Sequence, residues 1–499
     1  MSNGSEMHES LWSRPAGVRD VLQIAVPMVV TTLSWTLMNF IDSAILMEVS
    51  PTAMAAAYLA GIIWFAALSL FWGICSYSST FVAQFFGDEQ PNRIGPAVWQ
   101  GVWLALSFSL LVPVAQWFAP QLFALFKHDA ELAEMETLFF QILCYGAPGM
   151  LMAQSLECFY SGRGKTWVVM LVDAGAVVIN LILALALVRG WFGIEPWGLP
   201  GAAWATVLAQ WCRAVMYGGL ILLPGNQATF NTADIKPDGV LLRRMIRFGG
   251  PSGMQMMLDV TGFAVFMMFV AKIGVAEAEA TSLAFRISQV AFMPVWGLGM
   301  ATAVLVGQKL GEDRADLASR AARTTLAMSL IYMSAISVVF VAAPRLFLQS
   351  FFTHGEAAAA AAALPTGVDV EAMTGYLMRF VAAYNIFDAA VIIFVSVLRG
   401  AGDTRFVMIN SFFMASFMAL GTYIGVNKLG FTVYDAWWFI AIWVFALAVI
   451  YVLRYRTGKW QEMRVIDQIH HAHGAPAKKE AETREDLETA SSATGSAGG

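Results

Sequence analysis

Charge is what this sequence has least of. Only 13% of its 499 residues are Asp, Glu, Lys or Arg, about half the share of an ordinary soluble domain. Water therefore does not cover most of its surface. Cysteine is scarce as well. Cys75, Cys144, Cys158 and Cys212 lie inside or at the edge of apolar runs, without the paired spacing of a zinc site or a disulfide framework. They read as small packing residues, and no structural metal and no cofactor is expected. The sequence also lacks the strict alternation of a membrane β-barrel. It has no nucleophile motif, no phosphate-cradling loop and no soluble catalytic domain, so a polytopic membrane enzyme is only a distant alternative. No nucleic-acid partner is expected. The first twenty residues are polar and contain no cleavable leader pattern, so the first span is expected to direct insertion.

Apolar length is what the chain has in abundance: 58% of residues are hydrophobic and the mean hydropathy is +0.63. A hydrocarbon core of ~30 Å needs about 20 apolar residues in a helix. Twelve stretches meet that need, at 21–46, 54–82, 96–118, 136–158, 167–188, 199–223, 248–271, 281–306, 322–343, 374–397, 406–426 and 434–453. With both termini inside, nineteen Lys and Arg flank the inner ends of these spans. Only Lys127, Arg189, Lys272, Arg345 and Lys428, five residues, flank the outer ends. That bias sets both termini in the cytoplasm and the protein in a plasma membrane, the inner membrane if the cell is bacterial.

The chain also repeats. Val82-Ala83-Gln84 with Gly87 returns as Val306-Gly307-Gln308 with Gly311, and Pro27 returns as Pro251, both at an offset of 224. Phe126-Lys127-His128 matches Phe352-Thr353-His354 at 226, and Gly162-Arg163-Gly164-Lys165-Thr166 matches Gly400-Ala401-Gly402-Asp403-Thr404 at 238. The late jump falls in the loop holding the Ala357–Ala363 run, which reads as an insertion. Six spans per half bring both halves in from the same side, so a pseudo-twofold along the membrane normal relates them. The expected fold is an all-α membrane protein of twelve helices in two six-helix lobes. A tail of 1–19 precedes an N-lobe of 20–223. A linker of 224–247, a C-lobe of 248–455 and a tail of 456–499 follow. His470, His471 and His473 belong to that tail and read as solvated. A channel fits a two-lobed single chain poorly.

Carboxylates inside a membrane cost ~2.5–3.5 kcal/mol on insertion scales and are functional candidates by default. Three stand out: Asp42 on span 1, Asp259 on span 7 and Asp388 on span 10. Asp259 follows Arg247 by 12 residues and Asp388 precedes Arg399 by 11. At 1.5 Å per residue both lie roughly 16–18 Å from the inner charge boundary. At the repeat offsets, Asp42 corresponds to Phe266, Asp259 to Trp35 and Asp388 to Met150. The scaffold residues recur in both halves and the acids do not, as expected of functional additions. The alternative is helix-fixing ion pairs with Arg213, Arg286 or Arg379. Tyr384 precedes Asp388 by one turn and shares its face. Glu157 and Asp173 sit near the inner surface, within reach of Arg163 or Lys165. Met254, Met256, Met257, Met267, Met268, Phe292 and Trp296 suit either a pliable cavity or plain packing.

These residues resemble the multidrug and toxic compound extrusion (MATE) family, and its NorM-like branch in particular. The resemblance runs through Ala25-Val26-Pro27, Phe40-Ile41-Asp42, Val82-Ala83-Gln84, Val306-Gly307-Gln308-Lys309-Leu310-Gly311 and Leu398-Arg399-Gly400-Ala401-Gly402-Asp403. Asn180 and the segment Pro200-Gly201-Ala202-Ala203-Trp204-Ala205-Thr206 extend it, so it covers roughly residues 15–455. It implies export of cationic or amphiphilic small molecules by Na⁺ or H⁺ antiport, with alternating access between the lobes. It further implies cation-coupling roles for Asp259, Asp388, Tyr384 and Asp42, and makes Asn180 and Thr206 polar candidates of the N-lobe. The chain departs from the family in carrying Asp rather than Glu at 259, Ala184 where a polar residue is expected one turn after Asn180, and Glu48 where glycine is usual. The lipid bilayer is the expected surrounding and a monomer the expected state. A flippase for lipid-linked precursors is the nearest rival, and would need a more cationic cavity.

Overall fold

A computed structural model describes residues 12, 14–126, 128–193, 195–344, 347 and 370–466, which form one compact unit. The matching Phe352-Thr353-His354 motif, the Ala357–Ala363 run and the tail histidines lie outside the described residues. Apolar backbone in lipid must satisfy its own hydrogen bonds, which forces helix, and no strand occurs among the described residues.

The N-lobe comprises α1 (Val18–Val49), α2 (Pro51–Ser76), α3 (Ser78–Gly87), α4 (Pro91–Ser109), α5 (Val112–Ala124), α6 (Ala130–Cys144), α7 (Ala147–Ser161), α8 (Thr166–Arg189) and α9 (Leu199–Ile221). A short α10 (Pro224–Phe230) leads to the C-lobe. That lobe holds α11 (Gly239–Ile273), α12 (Val275–Gly311), α13 (Ala315–Ala342), α14 (Val370–Ala401), α15 (Thr404–Ile424) and α16 (Val433–Arg456). Among the described residues, nine segments are individually long and apolar enough to cross a membrane. The pair α4 and α5, bent by 46°, and the pair α9 and α10, bent by 67°, raise the number to eleven. The twelfth, expected at 136–158, is α6 plus α7, interrupted at Tyr145 and Gly146. The fold is thus all-α, with twelve membrane helices in two six-helix lobes.

Local chemistry sets several ends. Ser50 caps α2, accepting from the Ala53 N–H at 2.9 Å, and Pro51 fills the first turn, where no N–H is needed. Asp238 accepts from Val240 and Leu241, so α11 begins at Gly239, nine residues ahead of the apolar stretch. Thr432 and Asp435 form a reciprocal capping box on α16. Gly190 closes α8 at φ 76°, a left-handed cap that suits glycine.

Across the lobes α1 packs on α12 and α2 on α11, the symmetric exchange expected of a pseudo-twofold. Within the lobes α1 packs on α8 as α11 packs on α15. The repeated motifs meet at the basic end of this seam. Gln84 donates through Nε2 to the Gly400 carbonyl at 3.0 Å, and Gln308 donates to the Gly162 carbonyl at 2.8 Å. Donor corresponds to donor and acceptor to acceptor under the repeat. Gly87 and Gly311 belong to the same junction, because a Cβ on either would run into a backbone carbonyl, of Gln308 or Gln84 respectively. The Tyr77 hydroxyl adds a third crossing bond, to the Arg399 carbonyl at 2.9 Å. This end is shut.

The chain from Gly458 to Ile466, read from sequence as the opening of a tail, straps the same junction. Trp460 is buried and stacks on Tyr455 in the C-lobe. Val465 and Ile466 are buried in the N-lobe cluster of Tyr77, Phe81 and Phe85, and the Val465 N–H donates to Gln84 Oε1 at 2.8 Å. Arg464 pairs with Asp313 at 2.9 Å. Apolar residues at 460, 465 and 466 explain why this stretch leaves solvent.

Candidate cation sites in the two lobes

In the N-lobe, Asp42, Asn180 and Thr206 come together from α1, α8 and α9. Asn180 is buried and is the hydrogen-bonding neighbour of the Asp42 side chain. Its Nδ2 also lies 3.5 Å from Thr206 Oγ1. Asp42 Oδ1 is buried without a hydrogen-bond partner. A buried acceptor in that condition costs about 1–3 kcal/mol, and a proton or a cation would remove the cost.

In the C-lobe, Asp259 accepts from Gln255 Nε2, one turn earlier on α11, at 3.2 Å. Ser411 on α15 is a second side-chain partner, and the Arg399 guanidinium acts on it from α14. Asp259 is exposed, yet Gln255 and Ser411 are buried. Its named neighbours thus come from α11, α14 and α15. Gln255 Oε1, Ser252 Oγ and Asn410 Nδ2 are buried and unpartnered on the same two helices, α11 and α15. Gln255 Oε1 and Ser252 Oγ are oxygens a cation could use, and Asn410 Nδ2 is a donor that a carboxylate could use.

Asp388 is partly buried on α14, beside Tyr384. Tyr384 is buried, has Ser288 of α12 as a side-chain partner and stacks on Trp437 at 6.4 Å. The structure thus joins Tyr384 to Asp388. It draws no hydrogen bond between Asp388 and Asp259, and their polar neighbours are different sets. Among the described residues no ion pair uses Asp42, Asp259 or Asp388, so none is a helix-fixing partner of an arginine.

Arg213 is engaged elsewhere, in a cluster that sequence reading placed wrongly. Its Nη2 pairs with Glu157 Oε2 at 2.6 Å and its Nε with Asp173 Oδ1 at 2.6 Å. All three side chains are buried. Arg163, considered from sequence as the partner of these acids, instead donates to the Phe159 carbonyl and stacks on the rings of Phe159 and Phe230. The missed signal was helical spacing. Thr206, Gln210, Arg213 and Tyr217 fall on one face of α9, and Asp173 and Asn180 on one face of α8.

A cavity of about 920 Å³ lies at the basic end, lined by Arg14, Arg320, Arg323, Thr324, Met328 and Gln461 among others. None of the candidate acids lines it, so it does not mark their site.

Two lobes of six helices, with unpaired acids inside them and a seam closed at one end, define a two-lobed membrane transporter. The MatE family model matches residues 27–186 and 251–424, one segment in each lobe, and the chain belongs to that family. Its fold is similar to several solved structures. A MOP superfamily transporter from Pyrococcus furiosus, described as having a binding pocket of reverse polarity, matches at a TM-score of 0.79 and 18% identity, over 93% of this chain and 100% of that one. A multidrug resistance MATE transporter in its outward-facing conformation matches at 0.78 and 17% identity, over 93% and 100%. The eukaryotic MATE transporter AtDTX14 matches at 0.75 and 18% identity, over 89% and 96%.

Proposed function

We propose that this protein is a NorM-like secondary active exporter of organic cations and amphiphiles, driven by antiport of Na⁺ or H⁺ across a plasma membrane. The observation that carries the reading is the set of three acids, Asp42, Asp259 and Asp388, inside the lobes with no ion-pair partner among the described residues. Uncompensated carboxylates in a low-dielectric site attract a cation and release it when another neutralises them. That is the physical core of exchange. In the C-lobe Asp259, Gln255 and Ser411 form one polar region, and Asp388 with Tyr384 forms a second on the neighbouring helix. An ion entering from the side opposite the closed seam lowers the negative charge between the lobes, and a cationic cargo then leaves outward. The lobes rock to open the basic end, breaking the Gln84 and Gln308 bonds, and reload from the cytoplasm. One charge crossing 100 mV supplies ~2.3 kcal/mol. A flippase for lipid-linked precursors would need a more cationic cavity than these three acids make.

Reconstituted vesicles test this reading. Ethidium efflux is expected to follow an imposed Na⁺ or pH gradient, and Asp388→Asn to abolish gradient-driven efflux at undiminished expression. Wild-type efflux in the Asp388→Asn protein would remove this residue from coupling.

A further inference from the structure

The acids of the resemblance leave unused a second buried group in the N-lobe. Glu157 on α7, Asp173 on α8 and Arg213 on α9 hold two carboxylates against one guanidinium, a net charge of −1 among fully ionised partners. The cluster is enclosed on every side by named groups. Tyr217 donates to Asp173 Oδ1 at 2.9 Å, Gln154 and Cys158 lie beside Glu157 on its own helix, and the Trp35 ring of α1 covers Arg213 at 5.0 Å. No second cation is among them.

The two carboxylates are not equivalent. Asp173 accepts from Arg213 Nε at 2.6 Å, from Arg213 Nη2 at 3.3 Å and from the Tyr217 hydroxyl. Three donors, two of them charged, hold it ionised. Glu157 accepts one charged donor, Arg213 Nη2 at 2.6 Å, and has the neutral Gln154 side chain as its other partner. Burying an uncompensated charge is more costly than binding a proton, and Glu157, held by one charged bond against two for Asp173, is the acid that takes it.

The cluster also connects to Asp42. Trp35, Met38 and Asp42 share a face of α1, Asp173 and Asn180 a face of α8, and Thr206, Gln210 and Arg213 a face of α9. Two polar layers about two turns apart, roughly 10 Å, are thereby stacked in the lobe. Between them lies a gap of about 10 Å³ lined by Trp35, Met38, Asp173, Gln210 and Arg213. Arg213 and Gln210 both line it, and Arg213 Nη1 and Gln210 Oε1 are both buried and without partners. A water in a polar space of that size would satisfy such groups. Ala184 leaves no acid one turn beyond Asn180, and Asp173 stands two turns on the other side.

We propose that Glu157 is a second proton-holding site of the N-lobe, two turns of helix from Asp42 and coupled to it through the charge of the lobe. Proton binding forms an O–H bond at Glu157 and cancels the net −1 of the cluster, and breaking that bond restores the charge. The proposal rests on the proton branch of the proposed function, and its test is read separately from it.

Infrared spectroscopy of the purified full chain at neutral pH decides the assignment. The difference between wild type and Glu157→Gln is expected to show loss of a carboxylic-acid C=O band at an unchanged melting temperature. Asp173→Asn removes the excess negative charge, so Glu157 ionises against Arg213 and the same band is lost while Glu157 remains. Loss of a carboxylate band in Glu157→Gln, or persistence of the acid band in Asp173→Asn, overturns the proposal. In vesicles with an enclosed pH dye, Glu157→Gln is expected to bind ethidium as wild type does and to move fewer protons per ethidium. An unchanged ratio overturns the link to Asp42. Wild-type vesicles that move ethidium without protons would defeat the proton branch of the function, while the infrared result still decides Glu157.

Discussion

In the N-lobe, α8 and α9 lie close along their length, and a Cβ on Gly201 would collide with the Leu187 backbone. In the C-lobe the corresponding α15 and α16 touch only slightly. There Phe439 sits against Gly421 and Phe417, and Trp443 donates to the Met414 carbonyl at 2.9 Å. Large rings act as spacers where the N-lobe has small residues. The close N-lobe interface encloses charge, and Asn180–Thr206 and Asp173–Arg213 both cross it. The open C-lobe leaves Asp259 exposed and Asp388 half-buried. One plan of helices thus carries a buried ion cluster, Glu157, Asp173 and Arg213, in one half and an exposed acid, Asp259, in the other.

The comparison breaks most visibly at Arg213. Arg213→Ala leaves Glu157 and Asp173 buried without a cation, a loss of about 3–5 kcal/mol by the usual behaviour of broken buried pairs. Thermal unfolding in detergent is expected to move sharply downward. Arg399→Ala in the open lobe removes a cation that acts on Asp259 from a distance, and the stability change is expected to be much smaller. Equal losses would contradict the contrast between close and open lobes.

Next in size is the effect of the acids on transport. Asp388→Asn is expected to abolish gradient-driven efflux without loss of fold, because no ion pair among the described residues depends on Asp388. Asp42→Asn is expected to impair the coupling stoichiometry more than cargo binding, since Asp42 belongs to the N-lobe group of Asn180 and Thr206, apart from the exposed C-lobe acid Asp259. Ethidium binding measured beside efflux separates the two outcomes, and equal loss of binding in both variants would erase the distinction.

The smallest effect lies at the seam. Gln308→Ala removes one bond and Gln84→Ala two, each worth about 0.5–1.5 kcal/mol, and both variants are expected to raise the population open at the basic end. Gln84→Ala should raise it more, because Gln84 also accepts from Val465 of the strap. Distance measurements between spin labels on α3 and α12 report the populations. Identical shifts would mean that the strap adds nothing to closure.

The fold was legible because lipid imposes a simple rule. Continuous apolar length means helix, and the sequence repeat that includes Gln84 and Gln308 discloses two halves of one plan. Family resemblance named Asn180 and Thr206 as polar candidates of the N-lobe, and the structure brings them to Asp42. Depth arithmetic set Asp259 and Asp388 at a common level, but depth along a helix says nothing about azimuth, and their polar neighbours turned out to be separate. Glu157 and Asp173 were misplaced for a related reason. Proximity in sequence to Arg163 suggested a loop salt bridge, whereas Arg213, 40 residues beyond Asp173, reaches them across a helix interface. Trp460, Val465 and Ile466 were hidden inside a polar stretch whose composition suggested a tail.

Ethidium efflux from vesicles holding the purified chain, with Na⁺ and pH gradients imposed one at a time, tests the central claim most directly. The account predicts that at least one gradient accelerates efflux and that Asp388→Asn removes the acceleration. Efflux indifferent to both gradients in the wild-type protein would contradict it.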